Sequence, residues 1–244
     1  VQQKLNGPYA FTNQPLADHL QGTAQIADKF VTETYASTVS KRLYLSSQMS
    51  VNIKPDTVKV LIRRASLLHD VGKAADRYQS QFERPAHHSP TFYLHEVPSA
   101  IVCDRVSQEL ELGFHERFLL SFTVLNHMNS FRPLERICDE VNASNQREWS
   151  FVRYGQSMPS IFNELGVSCN QVLRPISYKE TRDFIDGQRA NASKLEYRWI
   201  RLYCMFLSPV IAGDNLDAQK RGTANLSPSR LKFIRELGEA SNLD

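Results

Sequence analysis

PDTVKVLIRRASLLHDVGK, residues 55–73, is the stretch that decides the fold. Its apolar positions Val60, Leu61, Ala65, Leu67 and Leu68 recur at helical spacing and run directly into His69-Asp70. Pro55 suits the first turn of such a helix, where its missing N–H leaves no gap. Gly72 then breaks the pattern, as expected where a helix gives way to a functional turn. Adjacent His and Asp at a helix end can hold a divalent cation from two sides, through an imidazole nitrogen and a carboxylate oxygen. The carboxylate can also bridge to a second cation. With the backbone turning at Gly72, Lys73 can swing back towards an anionic substrate. A bare His-Asp pair is usually incidental; the full H-D-x-G-K string after an apolar helix is far more specific.

Outward from this stretch the chain reads as all-α. Pro15 to Ser37 carries Leu16, Leu20, Ala24, Ala27, Phe30 and Val31 at three- and four-residue steps, which predicts one helix. Residues 74–90 look irregular and end in His87-His88-Ser89-Pro90, a helix entry. A helix through FYLHEV follows, with Pro98 either kinking it or starting its continuation, and Gly113 closing it. Residues 114–127 form another helix, and PSIFNELG and YKETRDFID are short helices in a polar middle. A long helix is predicted from about Ser193 to Gln219, and Ser227-Pro228 opens a last one, about 227–241. No strand pair is evident.

With 244 residues, 41% hydrophobic and 23% charged, the chain suits a single domain with a sizeable core. No stretch approaches the roughly 20 apolar residues that span a bilayer, and the first residues lack a signal-peptide pattern. The expectation is a cytoplasmic protein without a membrane partner. Cys103, Cys138, Cys169 and Cys204 are scattered, which argues against zinc ribbons and a disulfide framework. A net charge of +3 permits a polyanionic partner without demanding one.

A two-residue pair cannot complete a coordination sphere, so further ligands are sought among the other histidines, at 19, 87, 88, 95, 115 and 127. His19 lies on an amphipathic helix, His95 in HEVPSA, and His127 ends an apolar helix; each alone reads as readily as a structural histidine. His115 reads as structural, and His87 and His88 as a solvated turn or mobile substrate contacts. Asp214 follows Val210, Ile211, Ala212 and Gly213, where a carboxylate is costly to bury unless paired or metal-bound. Asp217 shares its helix face and is the rival.

The order H … HD-x-G-K … H-x-x-x-S-A … (x)H … D resembles the HD superfamily, and more narrowly the HD nuclease of type I CRISPR interference in its stand-alone form. The resemblance spans roughly residues 16–221 of one HD domain, 1–244. It implies an HD-domain helical bundle with helical or irregular insertions, and two divalent cations. His19, His69, Asp70 and Asp214 would hold the first; bridging Asp70, His95 and His127 the second. Asn126 stands where the family usually has the first histidine of a pair, and an amide is a poorer ligand than imidazole. Asp70 and Lys73 are the implied catalytic residues, and Lys73, Ser99 and Asn126 the implied substrate contacts. Histidine-rich ligation favours Mn²⁺, Fe²⁺, Co²⁺ or Ni²⁺, with Mg²⁺ admissible. The implied activity is metal-dependent hydrolysis of single-stranded DNA, alongside a separate CRISPR helicase subunit and an RNA-guided effector complex.

Phe82, Phe92, Tyr93 and Phe131 could stack on bases, though core packing explains most of them. Lys220, Arg221, Arg230 and Lys232 could guide a backbone, though a solvated helix face explains them almost as well. Two rival readings stand beside the nuclease: an HD-type nucleotide phosphohydrolase, which needs one metal and neither His95 nor His127, and a non-catalytic structural subunit of a CRISPR nucleoprotein complex.

Overall fold

The structure, a computed structural model, describes residues 7–12, 14–46, 51–83, 90–128, 132–144, 148–195 and 200–220. A short antiparallel ribbon, β1 (Tyr9–Phe11) with β2 (Gln14–Pro15), leads into α1 (Leu16–Phe30). Then come α2 (Glu33–Leu45), α3 (Pro55–Leu68), the single turn α4 (Asp76–Gln79), α5 (Glu96–Glu109) and α6 (Phe114–Leu125). After α7 (Leu134–Ala143), a second ribbon pairs β3 (Glu148–Trp149) with β4 (Ile176–Ser177) around α8 (Pro159–Leu165) and α9 (Cys169–Val172). Finally α10 (Tyr178–Lys194) precedes α11 (Tyr203–Lys220).

The bundle is centred on α1, α3, α6 and α11. α1 packs against both α3 and α11, α5 packs along α6, and α2 covers the outer side of α3. Leu16, Leu20, Ala24 and Ala27 of α1 and Leu61, Ile62, Ala65 and Leu68 of α3 are enclosed in one core. The apolar face read from residues 55–68 is thus the face that packs, except Val60, which is exposed.

Several boundaries differ from the sequence expectation. The helix expected across Pro15–Ser37 is two, because Thr32 accepts the Tyr35 N–H through Oγ1 at 3.1 Å and caps a new start. α5 begins only at Glu96, so Pro98 sits in its first turn, where its absent N–H breaks no helical bond. Gly113 opens α6 rather than closing α5, and its N–H donates to the Glu116 carboxylate. The long helix expected from Ser193 is interrupted among the described residues: Leu195 is extended and ends α10, and α11 starts at Tyr203. Both ribbons correct the expectation of no strand pair. His87, His88, Ser89, Phe131, Trp199, Arg221, Arg230, Lys232 and the expected 227–241 helix lie outside the described residues. Among the described residues no helix is long and apolar enough to cross a membrane.

Candidate metal centre

The bundle brings His19, His69, Asp70, His95, His127 and Asp214 to one place, although they span nearly two hundred residues of chain. His19 comes from the middle of α1 and Asp214 from α11, which packs on it. The other three histidines sit at helix ends. His69 caps α3, His95 precedes α5, and His127 follows the last turn of α6.

Each end histidine uses the same local device. His69 Nδ1–H donates to Ser66 O at 2.8 Å, His95 Nδ1–H to Phe92 O at 2.6 Å and His127 Nδ1–H to Val124 O at 2.7 Å. A carbonyl three residues back fixes the tautomer and turns Nε2 inward, the arrangement usual for metal-binding imidazoles. Before His95 the backbone reaches this geometry through Leu94, at φ 64°. A non-glycine residue there is strained, and such strain is concentrated at functional sites. The kink leaves Leu94 buried and Tyr93 exposed.

Asp70 lies at the centre, almost wholly buried, and its two oxygens face different partners. Oδ2 is 3.2 Å from His19 Nε2 and 3.6 Å from His69 Nε2, while Oδ1 is 2.7 Å from His95 Nε2 and 3.2 Å from His127 Nε2. Asp214 Oδ1 closes the first group, 3.2 Å from His19 Nε2 and 3.7 Å from His69 Nε2. Two clusters that could each hold a cation therefore share one carboxylate. His19 Nε2 and His69 Nε2 are buried and make no well-formed hydrogen bond. Buried nitrogens are rarely left so, and a cation would satisfy both.

The charges are coupled. Burial opposes a charge on His19, but Asp214, Asp217 and Asp70 outweigh it and push its pKa up to about 10. Burial likewise opposes ionised Asp70, yet Lys73, His69 and His95 hold its carboxyl well below the usual range. His19 and His69 do the same for Asp214. Lys73 Nζ is 2.5 Å from Asp70 Oδ2 and lies between two rings, 4.8 Å from the Phe11 centroid and 4.9 Å from that of Phe92.

A cleft of about 450 Å³ opens over the centre, lined by Asp70, Lys73, His95 and Asp214, with Phe11, Phe92, Tyr93 and Met128 supplying apolar wall. Ser99 and Asn126, the implied substrate contacts, do not line that cleft. Ser99 is fully enclosed and its hydroxyl accepts the Gly72 N–H at 2.8 Å. Asn126 is buried and its amide donates to Phe122 O at 2.9 Å, finishing α6. Gly72 packs so tightly that a Cβ would strike His95 O and the Ser99 backbone; Ser99 thus holds the turn that carries Lys73.

A family model described as Cas3, HD domain, matches residues 4–125, half of the chain. The chain belongs to the Cas3 HD domain family. The CRISPR-associated endonuclease Cas3-HD of Saccharolobus solfataricus is 29% identical over 238 residues, covering 94% of this chain and 95% of that protein. Among solved structures, the CRISPR-associated Cas3 HD domain protein of Methanocaldococcus jannaschii matches 86% of this chain and all of its own. The TM-score of that match is 0.58 at 18% identity, a likeness of fold. The Cas3 HD match ends before His127 and Asp214, so the place of those two at the centre rests on the geometry above.

Some participants in this Cas3 HD centre left no mark in the sequence reading. Gln14 and Phe11 reach His19 from the first ribbon. Glu96, buried beside His95 with Nδ1···Oε2 at 3.7 Å, pairs with Arg132, which also binds Glu140 at 2.8 Å. Burial pushes the Glu96 carboxyl up, but His95 and Arg132 together bring it below its ordinary value. The only local signal for Glu96 was a charged residue next to a candidate ligand.

Proposed function

We propose that this protein is a two-cation nuclease that hydrolyses phosphodiester bonds of single-stranded DNA in CRISPR interference. In this reading it works with a separate helicase subunit and an RNA-guided effector complex, and Asp70 is the bridging ligand. The observation that carries the reading is the division of the Asp70 carboxylate, with Oδ2 in one cluster and Oδ1 in the other. His19, His69 and Asp214 complete the first site; His95 and His127 complete the second. The buried Nε2 atoms of His19 and His69, which make no well-formed hydrogen bond and face carboxylate oxygens, suit a shared cation. Imidazole-rich donors favour Mn²⁺, Fe²⁺, Co²⁺ or Ni²⁺ over Mg²⁺. When bound, two such ions supply positive charge to the attacked phosphate and a water of lowered pKa.

The chain's own residues do the rest. Lys73, held over the cleft by two aromatic faces, offers a point charge to a non-bridging phosphate oxygen. Asp70 and the histidines fix the reacting geometry, since each imidazole is oriented by a bond behind it. Tyr93 and Met128, 57% exposed at the rim, give unpaired bases an apolar surface that stacked duplex bases could not reach. The name of the Saccharolobus relative, an endonuclease, supports hydrolysis within a strand.

Incubation of the purified chain with Mn²⁺ and end-labelled single-stranded DNA tests this. Cleavage is expected, with Asp70→Asn slower by about 100-fold or more, at least the loss seen when only the groups behind metal ligands are removed. His95→Ala should also abolish cleavage; unchanged DNA cleavage there, with metal binding intact, would remove the two-cation nuclease assignment. No cleavage with any transition metal, alone or with helicase and effector, would defeat the nuclease reading.

A further inference from the structure

His19 differs from the other three histidines of the centre. It lies in mid-helix, and what stands behind its Nδ1 is the Asp217 carboxylate, with Oδ2 at 2.9 Å. The same Oδ2 accepts a hydrogen bond from Gln14 Nε2, so one buried oxygen gathers two donors, Gln14 and His19, from the opposite end of the chain. Gln14 is 1% exposed and Asp217 3%. The three residues come from β2, α1 and α11, and the crossing is tight. A Cβ on Gly22, one turn beyond His19, would strike the Asp217 carboxylate. Phe11 closes the remaining side, its ring edge-on to His19 at 5.6 Å between centroids.

We infer that Asp217, braced by Gln14, is a positioning residue that fixes His19 with Nε2 towards the first cation site and strengthens that site alone. The inference rests on the two-cation reading above. Asp214 and Asp217 share a helix face yet lie on opposite sides of one imidazole. Asp214 approaches Nε2 among the ligand atoms, whereas Asp217 meets Nδ1 from behind. A carboxylate behind an imidazole makes it a better donor than a peptide carbonyl does, because it carries a full charge and a stronger hydrogen bond. In the second site the groups hydrogen-bonded behind His95 and His127 are peptide carbonyls, and the Glu96 carboxylate stands off His95 Nδ1 at 3.7 Å, against 2.9 Å for Asp217 on His19. The two sites should therefore differ in affinity, the first being the tighter and the first to fill.

Stripping the full chain with a chelator and titrating it with Mn²⁺ by calorimetry, with free Mn²⁺ followed by electron paramagnetic resonance, reads both sites. Asp217→Asn keeps the shape and removes the charge. It should weaken one of two sites by about 10–100-fold, the range for groups behind metal ligands, and leave the other unchanged. Gly22→Ala, which leaves Asp217 chemically intact but pushes its carboxylate aside, should weaken the same site, as should Gln14→Leu to a smaller degree. In a His95→Ala background, where only the first site remains, the Asp217→Asn effect should persist. In a His69→Ala background it should vanish. Unchanged affinities, equal weakening of both sites, or an effect that survives His69→Ala would overturn the assignment. If Asp217→Asn fails to fold, Gln14→Leu and Gly22→Ala decide by the same criteria. Wild-type protein that takes up no cation would overturn the two-cation reading itself, an outcome distinct from two sites that ignore Asp217.

Discussion

At the scale of single residues, His19 couples metal binding to protons. Its pKa is raised from 6.5 to about 10, so near neutral pH the free imidazole carries a proton that a cation must displace. Mn²⁺ affinity should therefore rise with pH, and calorimetry in buffers of different ionisation enthalpy should show proton release at pH 7. Without metal the sign for stability follows from the same groups. His19, raised on folding, stabilises fully below 6.5 and loses that contribution as pH rises through about 10. Asp70 and Asp214, lowered on folding, stabilise above their ordinary 3.8 and lose that contribution as pH falls. Chelated protein should be most stable between about pH 4 and 6.5, as melting in EDTA across pH would show. Lys73 makes a separate prediction. Lys73→Ala should slow cleavage of single-stranded DNA about 10²–10³-fold, the usual loss for one charge-stabilising group. Its metal stoichiometry should stay at the wild-type value.

At the scale of elements, three of the four histidines of the centre are placed by a helix terminus: His69 and His127 where α3 and α6 end, and His95 where α5 begins. The carbonyls of Ser66 and Val124 lie in the last turns of α3 and α6, where helical partners run out, and imidazoles take them. Moving such an end moves a ligand. Leu61 and Leu68 on α3 are fully enclosed, and truncation of Leu61 to Ala should cost about 2–5 kcal/mol. Thr32→Ala, which removes the cap that restarts the chain as α2, should cost only about 1 kcal/mol and leave cleavage unchanged. Urea unfolding of both variants checks these values. The first ribbon shows what periodicity misses. Two paired residues are too short to give a pattern, yet Phe11 and Gln14 reach the centre because β2 leads directly into the helix that carries His19.

At the scale of the whole molecule, the centre ties α1, α3, α5, α6 and α11 together, so a cation bound there should stabilise the fold as a unit. At 100 times its dissociation constant, Mn²⁺ should add about 2.7 kcal/mol per site. Melting should shift upward with Mn²⁺ and return on chelation. With Asp70→Asn the shift should shrink, because that residue serves both clusters.

The sequence by itself determined the helical class, the packing face of α3 and the HD string, because each depends on spacing within a turn or two of chain. His19, His95, His127 and Asp214 were legible as candidates through resemblance, since helical spacing alone leaves a histidine as easily structural as ligating. Helix ends were harder: Thr32, Gly113 and Leu195 cap or break through bonds and backbone angles that periodicity does not encode. Only the tertiary structure decided that Asp214 and Asp217 flank His19 on opposite sides, that Ser99 and Asn126 turn to the backbone, and that the oxygens of Asp70 divide between clusters. The reason is distance along the chain. Gln14 and Asp217 share no local pattern, and the crossing of α1 with α11 at Gly22 is what brings them to the same imidazole.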